Sequence, residues 1–293
     1  MSHIHGEQDN GSNGNAGWQD RRLDLSAKVA VVTGGARGIG RATCIALARD
    51  GIRAVGVVDR DAEVLAFCTD ANARLGRAVM VPFQGDVTDG DFRRSVFAEL
   101  DRRFGCVSIC VPAAGITRDR LAVKIDRDSG ESEIYPEDDF RRVIEIDMTA
   151  PIYWALETVA SVARDRHRRG MRKWSPQERV EGAVILIGSV SSAGNRGQIS
   201  YATAKAGLEG AQATMAVEGI YYGVRSAIIH PGYTDTQMVR ALGDSLISEH
   251  ILPRTTLGRL IQPEEIADAI VFMIRNASVS GRLWADAGWH PAT

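Results

Sequence analysis

The sequence predicts a single α/β domain: a doubly wound parallel sheet with helices on both faces, three layers in all. Two observations carry this reading. From Lys28 onward, short β-branched runs alternate with amphipathic segments, each of helical length. Strands separated by helices of about 10–15 residues must run parallel, joined by right-handed crossovers. Second, no internal repeat or linker divides residues 25–293, and 293 residues suffice for one full core.

Taken in order, "KVAVVTGG" is a β-branched run closed by glycines. The stretch "IGRATCIALARDG" has helical spacing at Ile39, Ala42, Ile45, Ala46 and Arg49, and Gly51 suits its C-terminal stop. "AVGVVD" is a second strand and "AEVLAFCTDANARLG" a second helix closed by Gly76. "AVMVPFQGDV" is a third strand, followed by a helix over "DGDFRRSVFAELDRRFG". "VSICVPAAG", "AVILIGS" and "VRSAIIHPG" supply the fourth, fifth and sixth strands. Two segments break the rhythm: the acidic "KIDRDSGESEIYPEDD" (124–139) and the basic "RDRHRRGMRKWSPQERVEG" (164–182). Ligands of such sheets bind beyond the carboxyl ends of the strands. The acidic segment therefore leaves the sheet on the active side, whereas the basic one enters from the opposite side and reads as a solvated loop.

Composition narrows the partners. Charged residues make up 25%, hydrophobic ones 44%, and the formal charge is −2. Such a balance gives no electrostatic reason to expect nucleic acid or an anionic membrane. No apolar run approaches the ~20 residues needed to span a bilayer. The N-terminal "MSHIHGEQDNGSNGNAGWQD" lacks a signal peptide's apolar core, which predicts a cytoplasmic protein. Residues 1–22 read as a disordered tail, leaving 23–293 as the domain. Cys44, Cys68, Cys106 and Cys110 have neither CxxC nor zinc spacing, so no metal is expected and the thiols read as structural.

"VVTGGARGIGRA" follows a strand and opens a helix, the context a nucleotide-binding glycine loop requires. Gly34, Gly38 and Gly40 permit a tight turn and let backbone N–H groups approach a pyrophosphate. The helix beginning near Gly38 adds its positive end. The second strand ends at Asp59, nineteen residues after Gly40. That offset is close to the ~20 at which an acid meets the adenosine ribose hydroxyls. A carboxylate there accepts from NAD and repels the 2′-phosphate of NADP. Arg37, inside the loop, pulls the other way, but its long stem can swing into water. The expected cofactor is NAD, with NADP possible. Asp86, at the end of the third strand, is placed either to meet the adenine or to cap the next helix.

Together these residues resemble the classical short-chain dehydrogenase/reductase family. Its signatures occur in family order: "TGGARGIG" at 33–40, "GDV" at 85–87, "PAAG" at 112–115, "GS" at 188–189, "YATAK" at 201–205 and "HPG" at 230–232. The segments "AAGITRD" and "GQISYATAKAGLEG" are similar to bacterial 3-oxoacyl reductases. The resemblance implies a Rossmann-type domain whose cofactor surface includes Ile39, Val87, Ala114 and Gly115 beside the residues above.

Tyr201 and Lys205 lie four apart, on one face of a predicted helix. A phenol is a poor acid–base group at neutral pH, and an ammonium beside it favours the phenolate. The resemblance makes Tyr201 the acid/base and Lys205 a ligand of the nicotinamide ribose. Ser189 would hold the substrate oxygen. It precedes Tyr201 by 12 residues, where 13 is usual in those reductases, and Ser191 and Ser192 are spare hydroxyls. Pro231 and Gly232 would shape a turn under the nicotinamide, with Thr236, or else Thr234, on its carboxamide. His230 reads as strand-end packing.

Two departures stand out. Asp147 occupies the position of the family's catalytic asparagine; it could still hold a water beside Lys205, yet as a carboxylate it would oppose the phenolate. Pro112 replaces an asparagine that ties the sheet together, and it also removes a backbone donor. The expected activity is hydride transfer between NAD(H) and a small secondary alcohol or ketone. The alternatives are an NADPH-dependent 3-oxoacyl thioester reductase and a non-catalytic nucleotide-binding protein of the same fold. By family analogy the helices of Asp147 and Tyr201 build a dimer contact, so a homotetramer or homodimer is expected. Residues 235–255 read as a lid, with Met238, Val239, Leu242, Leu246 and Ile247 as an apolar ceiling. The acidic insertion is expected to narrow access to the site.

Overall fold

The computed structural model describes residues 22–289. The tail expected over 1–22 therefore lies, except for Arg22, outside the described residues.

Seven parallel strands form the central sheet, in the order β3-β2-β1-β4-β7-β8-β9. They are β1 (Val29–Thr33), β2 (Ala54–Asp59), β3 (Met80–Gln84), β4 (Val107–Pro112), β7 (Gly182–Ile187), β8 (Val224–Pro231) and β9 (Gly281–Ala285). Every residue of β1, β4, β7 and β8 is buried. Strands covered on both faces must be apolar along their length, which is why these runs read as continuous rather than alternating. Six of the seven match the predicted runs. The seventh, "GRLWA", is a sheet edge with half-exposed residues and carries too weak a pattern to be read beforehand. At the opposite edge β3 holds Pro82, a residue tolerated where no further strand needs its missing N–H.

Helices cover both faces. Labelled in chain order, α1 is Gly38–Arg49, α2 Glu63–Leu75 and α3 Gly90–Phe104. After them come α4 (Glu137–Ile144), α5 (Ala150–Arg168), α6 (Ile199–Gly219) and α7 (Pro263–Arg275). One core layer joins Ala30 and Val32 of β1 to Leu47 of α1, Phe67 of α2 and Ile270 of α7. The other joins Val29 and Val31 to Leu100 of α3, Trp154 of α5 and Leu208 of α6. Alternate residues of one strand thus serve opposite layers, as the period of two requires.

Sheet order reverses between β1 and β4: from β1 the chain first winds outward to β2 and β3, then returns to β4. Side chains and loops diverge at such a switch point and leave a crevice at the carboxyl ends of the strands. The expected anchor asparagine is absent at the end of β4, and its work is done from β1. Thr33 accepts from Ala113 N through its carbonyl (3.1 Å) and from Ala114 N through its Oγ1 (3.2 Å). Pro112 lacks a donor, and the next two residues supply theirs.

The interrupting segments are both ordered. The acidic one contains a hairpin, β5 (Val123–Ile125) against β6 (Ser132–Ile134), and runs into α4. The basic one is largely exposed, as expected, and is also internally charge-matched. Arg166 is buried and donates to Glu178 (2.7 Å) and Glu181 (2.9 Å), while Arg169 pairs with Asp165 and Glu181. All four cysteines are free thiols. No helix among the described residues is long and apolar enough to cross a membrane.

Candidate active site

A cleft of about 320 Å³ opens at the switch point. Gly34, Arg37, Gly38, Ile39, Gly40, Asp59, Asp86, Val87, Ala114, Gly115, Asp147, Tyr201, Lys205 and Thr236 all line it. Gly34 and Thr236, 202 positions apart in sequence, therefore meet in one surface.

Its floor is made by glycines because nothing larger fits. A Cβ at Gly40 would stand 2.2 Å from the Gly34 carbonyl oxygen, and one at Gly34 2.8 Å from Ala114 N. Gly34 and Gly38 also have φ of 63° and 52°, a region costly for other residues. The N-terminus of α1 at Gly38 points unpaired N–H groups and a positive dipole end at the cleft. These features fit a dinucleotide pyrophosphate.

At the β2 end, Asp59 is pinned by two backbone donors. Ala36 N donates to its Oδ2 and Asp61 N to its Oδ1, both at 3.0 Å. Arg37 does not swing into water, as its length suggested. It donates to Asp61 (2.7 Å), Glu63 (2.7 Å) and the Gln237 side chain (3.2 Å). The sequence reading missed Asp61 and Glu63; their signal was the acidic cluster "DRDAE" just after β2. Asp86 accepts from Thr88 N (2.9 Å) and Thr88 Oγ1 (2.7 Å), which holds its carboxyl below the usual range. It does not cap α3, a task that Asp89 performs. Arg142 of α4, also overlooked, lies 3.4 Å from Asp86 Oδ2 and lines the cleft.

At the other end stand Tyr201, Lys205, Asp147 and Ser189. α6 carries Tyr201 and Lys205 one turn apart, and Lys205 Nζ is 5.4 Å from the phenol ring centroid. Asp147 sits in a single π-type turn, Glu145–Thr149, that joins α4 to α5. The cause is Pro151, which cannot donate to the Asp147 carbonyl, so the helix widens by one residue there. Asp147 Oδ1 accepts from Ile116 N (2.9 Å) and Oδ2 lies 3.5 Å from Lys205 Nζ. Burial pushes the Asp147 carboxyl above its ordinary range, against the pull of Lys205 and the Ile116 N–H. For Tyr201 the ammonium does favour the phenolate, as the sequence reading expected. Burial outweighs it, with the Asp147 charge acting in the same direction, and the phenol is held above its ordinary value.

Ser189 borders a smaller pocket of about 90 Å³ that Tyr201 shares with the main cleft. Its Oγ accepts from Ser191 N (3.1 Å), and Ser189 and Tyr201 line the same small pocket. Neither spare hydroxyl is free for that place. Ser191 donates to Gln198 Oε1 (2.8 Å) and Ser192 to the Ser189 carbonyl (2.8 Å). Thr117, Asp119, Val190, Ser191, Gln198, Gly232 and Tyr233 also line this pocket, with Met238, Val239 and Leu242 from the 235–255 segment. Ile247 instead packs with Ile251 and Leu260, and Leu246 is exposed. Thr234 is not brought to the cleft: it is buried and donates to the Gly232 carbonyl (3.1 Å). Pro231 is the last residue of β8, paired with Ala285, and Gly232 follows it out of the strand. No group of three or more metal-ligating side chains occurs among the described residues.

Comparison with known proteins agrees with this geometry. Residues 28–246 match the short chain dehydrogenase family. The chain is similar to the 3-oxoacyl-[acyl-carrier-protein] reductase FabG of Escherichia coli (strain K12), 32% identical over 254 residues, covering 86% of this chain and 91% of that protein. Similarity extends to an acetoacetyl-CoA reductase of Rhizobium meliloti, 33% identical with 84% and 90% covered. Among solved structures, a provisionally assigned gluconate dehydrogenase of Agrobacterium tumefaciens superposes with a TM-score of 0.76 at 26% identity, over 92% of this chain and 98% of that one. The chain therefore belongs to the short-chain dehydrogenase family, and is an oxidoreductase of CH–OH groups that works with a nicotinamide cofactor.

Proposed function

We propose that the protein is an NAD(H)-dependent oxidoreductase of small secondary alcohols and ketones, acting in the cytoplasm as a homotetramer or homodimer. The observation that carries the cofactor choice is the acidic cluster at the end of β2. Asp59 is fixed by two backbone N–H groups, and Arg37 is already held by Asp61 and Glu63. A 2′-phosphate would meet three carboxylates and an arginine that must first leave two of them. At ~4 Å and an effective dielectric of ~20, each unpaired like charge opposes it by up to about 4 kcal/mol before screening. Ribose hydroxyls, by contrast, donate to Asp59 without any rearrangement.

The remaining roles follow from position. The glycine loop and the start of α1 would hold the pyrophosphate, Asp86 and Val87 the adenine, Tyr201 and Lys205 the nicotinamide ribose, and Thr236 the carboxamide. The bound nicotinamide supplies the hydride acceptor or donor. In the oxidative direction the Tyr201 phenolate takes the hydroxyl proton while Ser189 holds the oxygen. Lys205 stabilises the phenolate, and Asp147 stands at the inner end of the proton path. The outward Tyr153 and Leu156 of α5 and Val217 of α6, all exposed, support a subunit contact through these helices.

A second reading, an NADPH-dependent 3-oxoacyl thioester reductase, is favoured by the activities of the two curated relatives. Initial rates with NADH and with NADPH on ethyl acetoacetate, simple secondary ketones and acetoacetyl-CoA separate the two. A rate confined to NADPH and the thioester would replace the first reading by the second. Tyr201→Phe tests the third, non-catalytic reading: it should cost about 10²–10⁴-fold in rate and leave cofactor binding intact.

A further inference from the structure

His230 is buried, and the chemistry above leaves it no part. Its surroundings are more specific than packing requires. The imidazole stacks on Trp284 of β9, centroids 4.3 Å apart and planes 19° from parallel. Its Nδ1 lies 3.3 Å from Ser189 N, 3.1 Å from the Ser189 carbonyl oxygen and 3.4 Å from Ser192 Oγ. Its Nε2 faces Glu209 Oε1 at 3.9 Å. Glu209 follows Tyr201 and Lys205 at the same four-residue interval along α6, and its other oxygen pairs with Arg282 of β9 (2.8 Å). Gly188 makes room for the ring: a Cβ there would stand 2.6 Å from Nδ1.

Nε2 has no hydrogen-bond partner at 3.9 Å, and the Glu209 charge favours the tautomer that carries the proton there. A proton on Nδ1 would leave a bare Nε2 lone pair against the Glu209 carboxylate. A proton on Nε2 points at that carboxylate and frees Nδ1 to accept from Ser189 N. The Ser189 carbonyl is then left to Ser192, whose Oγ–H and N–H both reach it, at 2.8 and 3.1 Å. Every group of the Ser189 peptide is satisfied, and burial keeps the ring neutral by lowering its pKa.

We propose that His230 is a positioning residue that acts through Ser189: it locks the Ser189 peptide so that Oγ faces Tyr201, and Glu209 selects the imidazole tautomer that does so. The strand that ends beside Ser189, β7, pairs along its length with β8, which carries His230 at its far end. The inference rests on Ser189 and Tyr201 having the roles given under Proposed function.

The test compares His230→Leu, His230→Asn and Glu209→Gln. Three readouts are the NADH Kd, kcat and KM on ethyl acetoacetate, and the ultraviolet titration of the Tyr201 phenolate. The last is taken as the difference between each variant and the same variant carrying Tyr201→Phe. Expected for His230→Leu is a fall in kcat of roughly 10- to 100-fold, as a displaced reacting group costs, with KM and NADH Kd within about twofold. Its Tyr201 titration should move to higher pH, because the Ser189 side chain, which lowers it, is displaced. His230→Asn, whose amide oxygen can accept from Ser189 N, should recover most of the rate. Glu209→Gln, a change at a partly exposed side chain, should lower kcat about threefold and serves if His230→Leu does not fold. Unchanged kcat and an unmoved Tyr201 titration in folded His230→Leu, or in Glu209→Gln, would overturn the proposal. So would equal losses in the Leu and Asn variants. Should wild-type enzyme give no rate on ethyl acetoacetate, the ketone reading fails on its own, and the phenolate titration still decides the role of His230.

Discussion

Asp147 Oδ2 and Lys205 Nζ face each other at 3.5 Å, both buried, with no hydrogen-bond donor completing the carboxylate oxygen. A negative charge thus stands behind the ammonium that favours the Tyr201 phenolate. Through space that charge opposes the Tyr201 phenolate. With Tyr201 in the acid/base role proposed for it, the arrangement favours alcohol oxidation at higher pH.

Asp147→Asn should therefore move the rising limb of the alcohol-oxidation rate toward lower pH. The sign follows from the Tyr201 surroundings: the Asp147 charge raises its pKa, so removing that charge lowers it. Below the wild-type midpoint the variant should be the faster enzyme. A pH profile of kcat for both proteins checks this, and a limb that stays in place or moves upward would contradict it.

Arg37 is held by carboxylates, and releasing it should change cofactor choice. In the double variant Asp61→Asn, Glu63→Gln, Arg37 becomes available to a 2′-phosphate while Asp59 remains. NADPH should bind roughly tenfold tighter than to wild type, with the NADH Kd within about twofold, a difference of ~1.4 kcal/mol. Paired titrations measure it. No gain for NADPH would mean that Asp59 alone sets the preference.

Tyr135, at the end of the hairpin, shares a hydrogen bond with Ser200 Oγ (2.8 Å) and donates to the Arg118 carbonyl (2.6 Å). Ser200 directly precedes Tyr201, so the insertion is fastened to the helix that carries Tyr201 and Lys205. Tyr135→Phe should cost about 1 kcal/mol of stability and raise KM more than it lowers kcat. Shortening the hairpin turn at 126–131 should broaden the range of ketones accepted. Substrate kinetics unchanged in both variants would remove the insertion from the site.

Much of the site was legible because its residues carry local signals. A glycine loop between strand and helix, an acid at a strand end and a Tyr–Lys pair one helical turn apart each follow from short-range geometry. What stayed hidden depends on contacts between distant segments. Arg37 could not be read as a bound residue without knowing that Asp61, Glu63 and Gln237 surround it. The direction of the Tyr201 shift depends on burial, which no spacing reveals, and here it outweighs the lysine. Thr234 and Thr236 look alike in sequence, yet two residues of turn face one inward and the other to the cleft. In the fold, the half-exposed β9 and the hairpin lacked the apolar continuity that gave the other strands away.

Glu265 offers a check on stability. Arg259 pairs with its carboxylate (2.7 and 2.8 Å) and Gln262 N donates to it, closing a capping box at the start of α7; its pKa falls from 4.5 to about 2. A depressed carboxyl stabilises the fold above its unfolded value and loses that effect as pH falls through the folded value. The pair is half-exposed, so Glu265→Gln should cost only about 1 kcal/mol at neutral pH, including the cap. That difference should shrink below pH 4.5 and vanish near about 2. Urea unfolding of both proteins across this range measures it, and a pH-independent difference would contradict the assignment.

The most direct test of the central claim is a fluorescence titration of the wild-type protein with NADH and, separately, with NADPH. Asp59 pinned at the end of β2, with Arg37 held by its neighbours, predicts that NADH binds at least about tenfold more tightly, ~1.4 kcal/mol. Equal or tighter binding of NADPH would contradict it, and would make the 3-oxoacyl reductase reading the better account of this site.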